Sequence, residues 1–196
     1  MQAIDVLMQE HRVIEQVLDA LESTAAHLAR GDAVPAHFFL DAADFAAGFA
    51  DGCHHRKEEG VLFPTMKQHG APPSGGAIEV MLDEHEQGRS YVRQLREAAR
   101  QLDAGDSTAA RRVVAAARGY AALLRDHIGK EDEMLFPLAA ELIPPGAEQE
   151  VMAAFERVEE ADRDAPSHEE LMVLAKRLMH EADALEQTPR PAEPAM

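Results

Sequence analysis

Six residues set the chemistry open to this 196-residue chain: His11, His54, Glu58, His85, His127 and Glu131. His54 and Glu58 are four apart, as are His127 and Glu131. On a helix this spacing puts each pair about 40° apart on one face. His11 lies in a stripe with Ile4, Leu7, Ile14 and Leu18, and His85 lies with Ile78, Met81, Leu82 and Tyr91, so both point toward a core. Taken singly, a histidine on an apolar stripe reads as a satisfied core residue and a His-x-x-x-Glu pair as a surface ion pair. Together, four imidazoles and two carboxylates are costly to bury without a partner, and two metal ions satisfy all six. Imidazole mixed with carboxylate, without thiolate, suits iron, with manganese or zinc as alternatives. A tetrahedral structural zinc site would not use six residues. If Glu58 and Glu131 both bridge, and a solvent-derived oxo or hydroxo group also bridges, two octahedral ions keep up to two positions open for a small molecule.

The six gain weight because they recur. His54-His-Arg-Lys-Glu58-Glu-Gly-Val-Leu62-Phe63-Pro64 and His127-Ile-Gly-Lys-Glu131-Asp-Glu-Met-Leu135-Phe136-Pro137 share His, Lys, Glu, an acid and Leu-Phe-Pro at an offset of 73. Ile4, Leu7, Glu10 and His11 match Ile78, Met81, Glu84 and His85 at an offset of 74. The chain is therefore a tandem duplication of a helical hairpin, with one His on each first helix and His-x-x-x-Glu on each second.

The elements that must position these residues are helices. Ala, Leu, Glu, Arg and Met dominate, and β-branched and aromatic residues are sparse. Apolar spacing predicts helices over about 2–30, Pro35 to Gly70, 77–103 and Ser107 to Ile143, broken at Gly31, at Gly70-Ala-Pro-Pro-Ser-Gly-Gly76 and near Gly105. The expected fold is all-α: an antiparallel up-down four-helix bundle with one or two additional C-terminal helices. Pro64 and Pro137 should bend their helices just past the carboxylates. The expected divisions are a bundle over 1–146, a helical extension over 147–188 and a flexible tail over 189–196. The extension should hold a helix over 148–164 and a second one opened by a Ser167/Glu170 capping box. Whether it packs on the bundle or joins a protein or redox partner is open in the sequence.

A net charge of −17 argues against nucleic acid and anionic membranes as partners. One cysteine excludes a disulfide framework. No apolar run reaches membrane-spanning length and the N-terminus has no secretory pattern, so a cytoplasmic protein is the default expectation.

With His11, His54/Glu58, His85 and His127/Glu131 in this order, and with the Lys-Glu-Glu-x-x-Leu-Phe-Pro and Lys-Glu-Asp-x-x-Leu-Phe-Pro runs, the sequence resembles the hemerythrin-like (HHE cation-binding) family over about 1–143. The resemblance implies a non-haem di-iron centre in a four-helix bundle. Ferritin-like di-iron proteins are less similar, because they use Glu-x-x-His. Oxygen-carrying hemerythrins have His-x-x-x-His on the third helix, whereas here the run is His85-Glu-Gln-Gly-Arg89, and a charged guanidinium cannot ligate iron. His55 lies about 100° around the helix from His54, which assigns it a surface or supporting role.

Arg89 matches Glu15 at the offset of 74, one turn beyond His85 and His11. The two are expected either to pair near the site or to divide roles, Glu15 as an extra ligand and Arg89 steadying a bound anion; the solvent edge is the equally weighted alternative. Tyr120, seven residues before His127, is a candidate donor over the pocket or a buried core residue. Cys53 reads as a small buried hydrophobe. His27, His37, His69, His168 and His180 have no repeat partner and read as surface residues.

The function expected is binding of, or reaction with, O2 or a related small oxidant such as peroxide or nitric oxide, in a pocket lined by Ile14, Leu62, Phe63, Leu135 and Phe136. A catalase-like, peroxide-consuming enzyme and an iron-binding or buffering protein are the alternatives, with a metal-free helical scaffold as a third.

Overall fold

The computed structural model describes residues 1–160 and 166–187. Its described residues form six helical rods and no strand. The first, α1 (Gln2–Ala29), ends where Gly31 turns the chain at φ +87°. The second rod, α2 (36–68), begins just after Pro35 and is not uniformly α-helical. Its segments are Ala36–Phe45, a π-helical stretch Ala46–His55, a π-helical turn Glu58–Leu62, and Phe63–Gln68. Then come α3 (Ala77–Asp103) and α4 (110–142), which is entered through a 3₁₀ turn whose Asp106 side chain accepts from the Thr108 N–H. The extension is α5 (Glu148–Glu160) and α6 (His168–Glu186).

The expected bends at the prolines take another form. In α2 and α4 a π-helical turn begins at the buried glutamate and ends at the leucine before Phe-Pro, Glu58–Leu62 and Glu131–Leu135. Proline has no N–H to give and clashes with the carbonyl four residues back. The wider turn lets the rod continue past Pro64 and Pro137 instead of breaking.

Cross-links give the register. Arg125 on α4 bonds Asp19 and Glu22 of α1, and His11 of α1 bonds Asp132 of α4, so the two run antiparallel. Arg96–Asp44 and Arg89–Asp51 show the same for α3 and α2. The extension packs on the bundle. Leu171, Ala175, Leu178 and Ala182 of α6 join the larger apolar core against α1 and α2, and Val151 and Phe155 of α5 join the smaller one. Gly48 lets α6 approach closely, because a Cβ there would lie 2.8 Å from Leu171. Ser167 and Glu170 form the expected capping box. Residues 161–164 of the expected helix and the expected tail at 189–196 lie outside the described residues.

The two cores are stacked. The larger holds Ile14, Leu18, Phe49, Tyr120, Leu124 and Ile128, and the smaller holds Leu7, Leu62, Phe63, Met81, Leu135 and Phe136. Between these apolar plugs lies one layer of histidine and glutamate. Among the described residues no helix is long and apolar enough to cross a membrane.

Candidate metal centre

His11, His54, Glu58, His85, His127 and Glu131 converge in that layer, and none is more than 1% exposed. Their ligand-type atoms fall into two groups, each within 4.8 Å: His11, His54, Glu58 and Glu131 in one, and His55, Glu58, His85 and His127 in the other. Glu58 belongs to both. Its Oε1 is 3.4 Å from His54 Nε2 and its Oε2 3.5 Å from His85 Nε2. Glu131 Oε2 lies 3.2 Å from His11 Nε2 and 3.3 Å from His127 Nε2.

The outer ring nitrogens are held by a second set of carboxylates, one per histidine. Nδ1 of His11 faces Asp132 at 2.7 Å, His54 faces Glu10 at 3.0 Å, His85 faces Glu59 at 2.7 Å and His127 faces Glu84 at 2.9 Å. A histidine that donates Nδ1–H to a carboxylate presents the Nε2 lone pair inward, the arrangement that orients metal-bound imidazoles. Accordingly Nε2 of His11 and His54 are 2.9 Å apart, and Nε2 of His85 and His127 are 3.1 Å apart. Two nitrogens bound at right angles to one ion at about 2.1 Å are separated by about that distance.

The carboxylates in the middle want a cation. Among the described residues all four oxygens of Glu58 and Glu131 are buried without a hydrogen-bond partner, a costly state for a polar group. Burial and then the neighbouring Glu131 charge push the Glu58 carboxyl well above the usual range. Burial also works against Glu131, but the His11, His127 and His54 imidazoles hold it down at about 2. The imidazoles respond too. Burial, followed by the nearby histidines, depresses His54 strongly, and burial depresses His55 to about 4 despite Asp51. A cation would satisfy the free oxygens and the inward lone pairs together, so the donor set fits a bound metal.

His55 departs from expectation. It is 4% exposed, stacks on His85 and adjoins His127. The π-helical stretch ending at His55 has more residues per turn than an α-helix, so consecutive residues diverge less than the α-helical angle suggests. The repeat carried a signal: the matching position is Ile128, itself buried in the core. Glu10, Glu84, Glu59 and Asp132 were visible only as repeated letters, without an evident role.

Arg89 and Glu15 do not pair. Arg89 bonds Asp51, Glu59 and Glu86, and thereby braces the carboxylates behind His55 and His85. Glu15 pairs with Arg12 instead and is absent from both ligand groups; Arg12 also reaches Asp132 in the first half, as Arg89 reaches Glu59 in the second. Tyr120 is buried in the larger core against Gly88, and among the described residues its hydroxyl makes no hydrogen bond to the six. Cys53 is buried, and burial pushes its thiol up to about 11. His37, His69, His168 and His180 are not buried, and His27 is partly covered beside Asp32.

The model of the hemerythrin HHE cation-binding domain matches residues 2–139. The chain belongs to that family. This hemerythrin-like protein is also similar to uncharacterized proteins of Mycobacterium bovis and of two strains of Mycobacterium tuberculosis, at 24% identity over 150 residues. The match covers 76% of this chain and 58% of each relative, so the chain spans little more than half the length of the curated proteins it matches. Membership and the paired His/Glu groups make this a metal-binding domain, of a family that typically holds iron.

Proposed function

We propose that the hemerythrin-like domain holds two iron ions and binds, or reacts with, O2 or a related small oxidant such as peroxide or nitric oxide. The observation that carries this reading is the shared carboxylate. Glu58 faces one histidine group with Oε1 and the other with Oε2, and among the described residues neither oxygen has a hydrogen-bond partner. His11, His54, Glu58 and Glu131 would hold one ion, and His55, His85, His127 and Glu58 the other. Two ferrous ions supply two electrons to a small oxidant when bound.

The chain does the rest. The carboxylates behind each Nδ1 fix ring orientation and raise imidazole basicity. Phe136 stacks on His11 with ring centroids 5.3 Å apart, and Phe63 stacks on His85 at 6.1 Å. These rings, with Leu62 and Leu135, close one side of the layer against water. A centre this enclosed admits ligands of a few atoms and excludes larger substrates.

Anaerobic loading with ferrous iron followed by air tests the reading. Near-ultraviolet absorption should grow on oxidation in the wild type and be absent in His54→Ala. Iron that oxidises no faster than in buffer would contradict it.

A further inference from the structure

The two halves of the centre use the same outer device with one substitution. In the second half Lys130 bonds Glu84, the carboxylate behind His127, and also Asp126, four residues back on its own helix at 2.5 Å. In the first half Lys57 bonds Glu10, the carboxylate behind His54. At the repeat offset of 73, the position matching Asp126 is Cys53. The acid is missing there, yet Lys57 still has a second carboxylate: Glu159 of α5 lies 2.5 Å from its Nζ.

Burial of the ammonium makes this contact matter, although Glu159 itself is 40% exposed. Lys57 is 0% exposed, with its ammonium 6.0 Å from the Phe155 ring centroid, whereas the Lys130 side chain is 33% exposed. Without Glu159 the buried ammonium keeps only Glu10, the carboxylate that also serves His54. It would draw Glu10 away from His54 and place positive potential beside the cation that His54 faces. Glu10, Cys53, Glu159 and His168 bring ligand-type atoms within 4.8 Å of one another, and Lys57 is the cation paired to two of them.

We propose that Glu159 is a positioning residue of the metal centre: from the C-terminal extension it supplies the carboxylate that Cys53 lacks, and so completes the first half of the duplicated site. The chain Glu159–Lys57–Glu10–His54 thus makes α5 part of the centre. The inference rests on the proposed di-iron reading.

The test compares full-length Glu159→Ala, Glu159→Gln, Glu159→Asp and Cys53→Asp/Glu159→Ala with Glu156→Ala, which removes an exposed charge from the same helix. Melting of the metal-free protein reads the Lys57 pairing, and release of iron to a chelator reads its link to the centre. Glu159→Ala and Glu159→Gln should lower the melting temperature and speed release of one of the two ions about tenfold. Glu159→Asp and Glu156→Ala should behave as wild type, and Cys53→Asp should restore both readouts in the Glu159→Ala background. If Cys53→Asp does not fold, the Gln and Asp variants decide. Equal release in Glu159→Ala and Glu156→Ala overturns the inference while two ions still bind. Fewer than two ions in the wild type overturns the di-iron reading together with it. A third ion, lost in Glu159→Ala, also overturns it, because the cluster would then hold metal in place of the Lys57 ammonium.

Discussion

His55 stacks on His85 with ring centroids 3.8 Å apart and planes 12° apart, and its Nδ1 lies 3.4 Å from Asp51. A fifth imidazole thus stands beside the second ligand group although α3 carries Arg89 where oxygen carriers have a histidine. Under the proposed reading, in which His55 is a ligand, His55→Ala should weaken iron retention by at least about tenfold, since loss of a direct ligand costs no less than loss of an outer partner. Competition against a chelator measures it, and retention equal to wild type would remove His55 from the centre.

His55 also gives the metal-free protein a pH signature. Its folded-state value of about 4 lies below the 6.5 of an unfolded histidine. As pH falls from 6.5 toward 4, the unfolded chain takes up a proton that the folded chain refuses, so stability falls. His55→Phe, which keeps a ring against His85, should remove up to about 1.4 kcal/mol per pH unit from that slope. Denaturant melts across the window check it; parallel slopes for the two proteins would refute it.

Glu58 carries the opposite sign. Its folded value is raised, so its contribution to stability is present at low pH and lost as pH rises through that value. Without metal near pH 7, Glu58→Gln should therefore stabilise the fold by about 1–2 kcal/mol while abolishing binding of two ions. Chemical denaturation of both metal-free proteins reads the difference, and a less stable Gln variant would contradict the assigned burial cost.

Docking of α6 has its own probe. Gly48→Ala would set a Cβ 2.8 Å from Leu171, a side chain buried to 4% exposure. Overpacking of this kind should cost about 1–3 kcal/mol. The helix-propensity gain of Gly→Ala, up to about 1 kcal/mol, offsets part of that cost, so the readout is the coupling: Gly48→Ala should be better tolerated in a Leu171→Ala background, and an equal effect in both backgrounds would mean that α6 does not hold this position.

Much of the bundle was legible because the duplication repeats both periodicity and ligand spacing. Ile4, Leu7 and His11 share a stripe in α1 just as Ile78, Met81 and His85 do in α3, and the six expected side chains meet in one layer. What escaped depends on backbone geometry or on distant sequence. An ideal 100° step sent His55 outward, yet both His55 and its repeat partner Ile128, which sits on a regular α-helix, are buried, so the inward face of these rods is wider than one ligand stripe. Glu15 and Arg89 match in register but find different partners, Arg12 for one and Asp51, Glu59 and Glu86 for the other. Glu159 is separated from Lys57 by about half the chain and lies outside the repeat, so no local pattern announces the contact.

The most direct measurement of the central claim is an anaerobic ferrous titration of the full-length protein, followed by metal analysis after desalting. Two iron ions per chain are expected in the wild type, and fewer than two in Glu58→Ala, because Glu58 faces both histidine groups. One ion per chain in the wild type, or two retained in Glu58→Ala, would contradict a carboxylate-bridged pair.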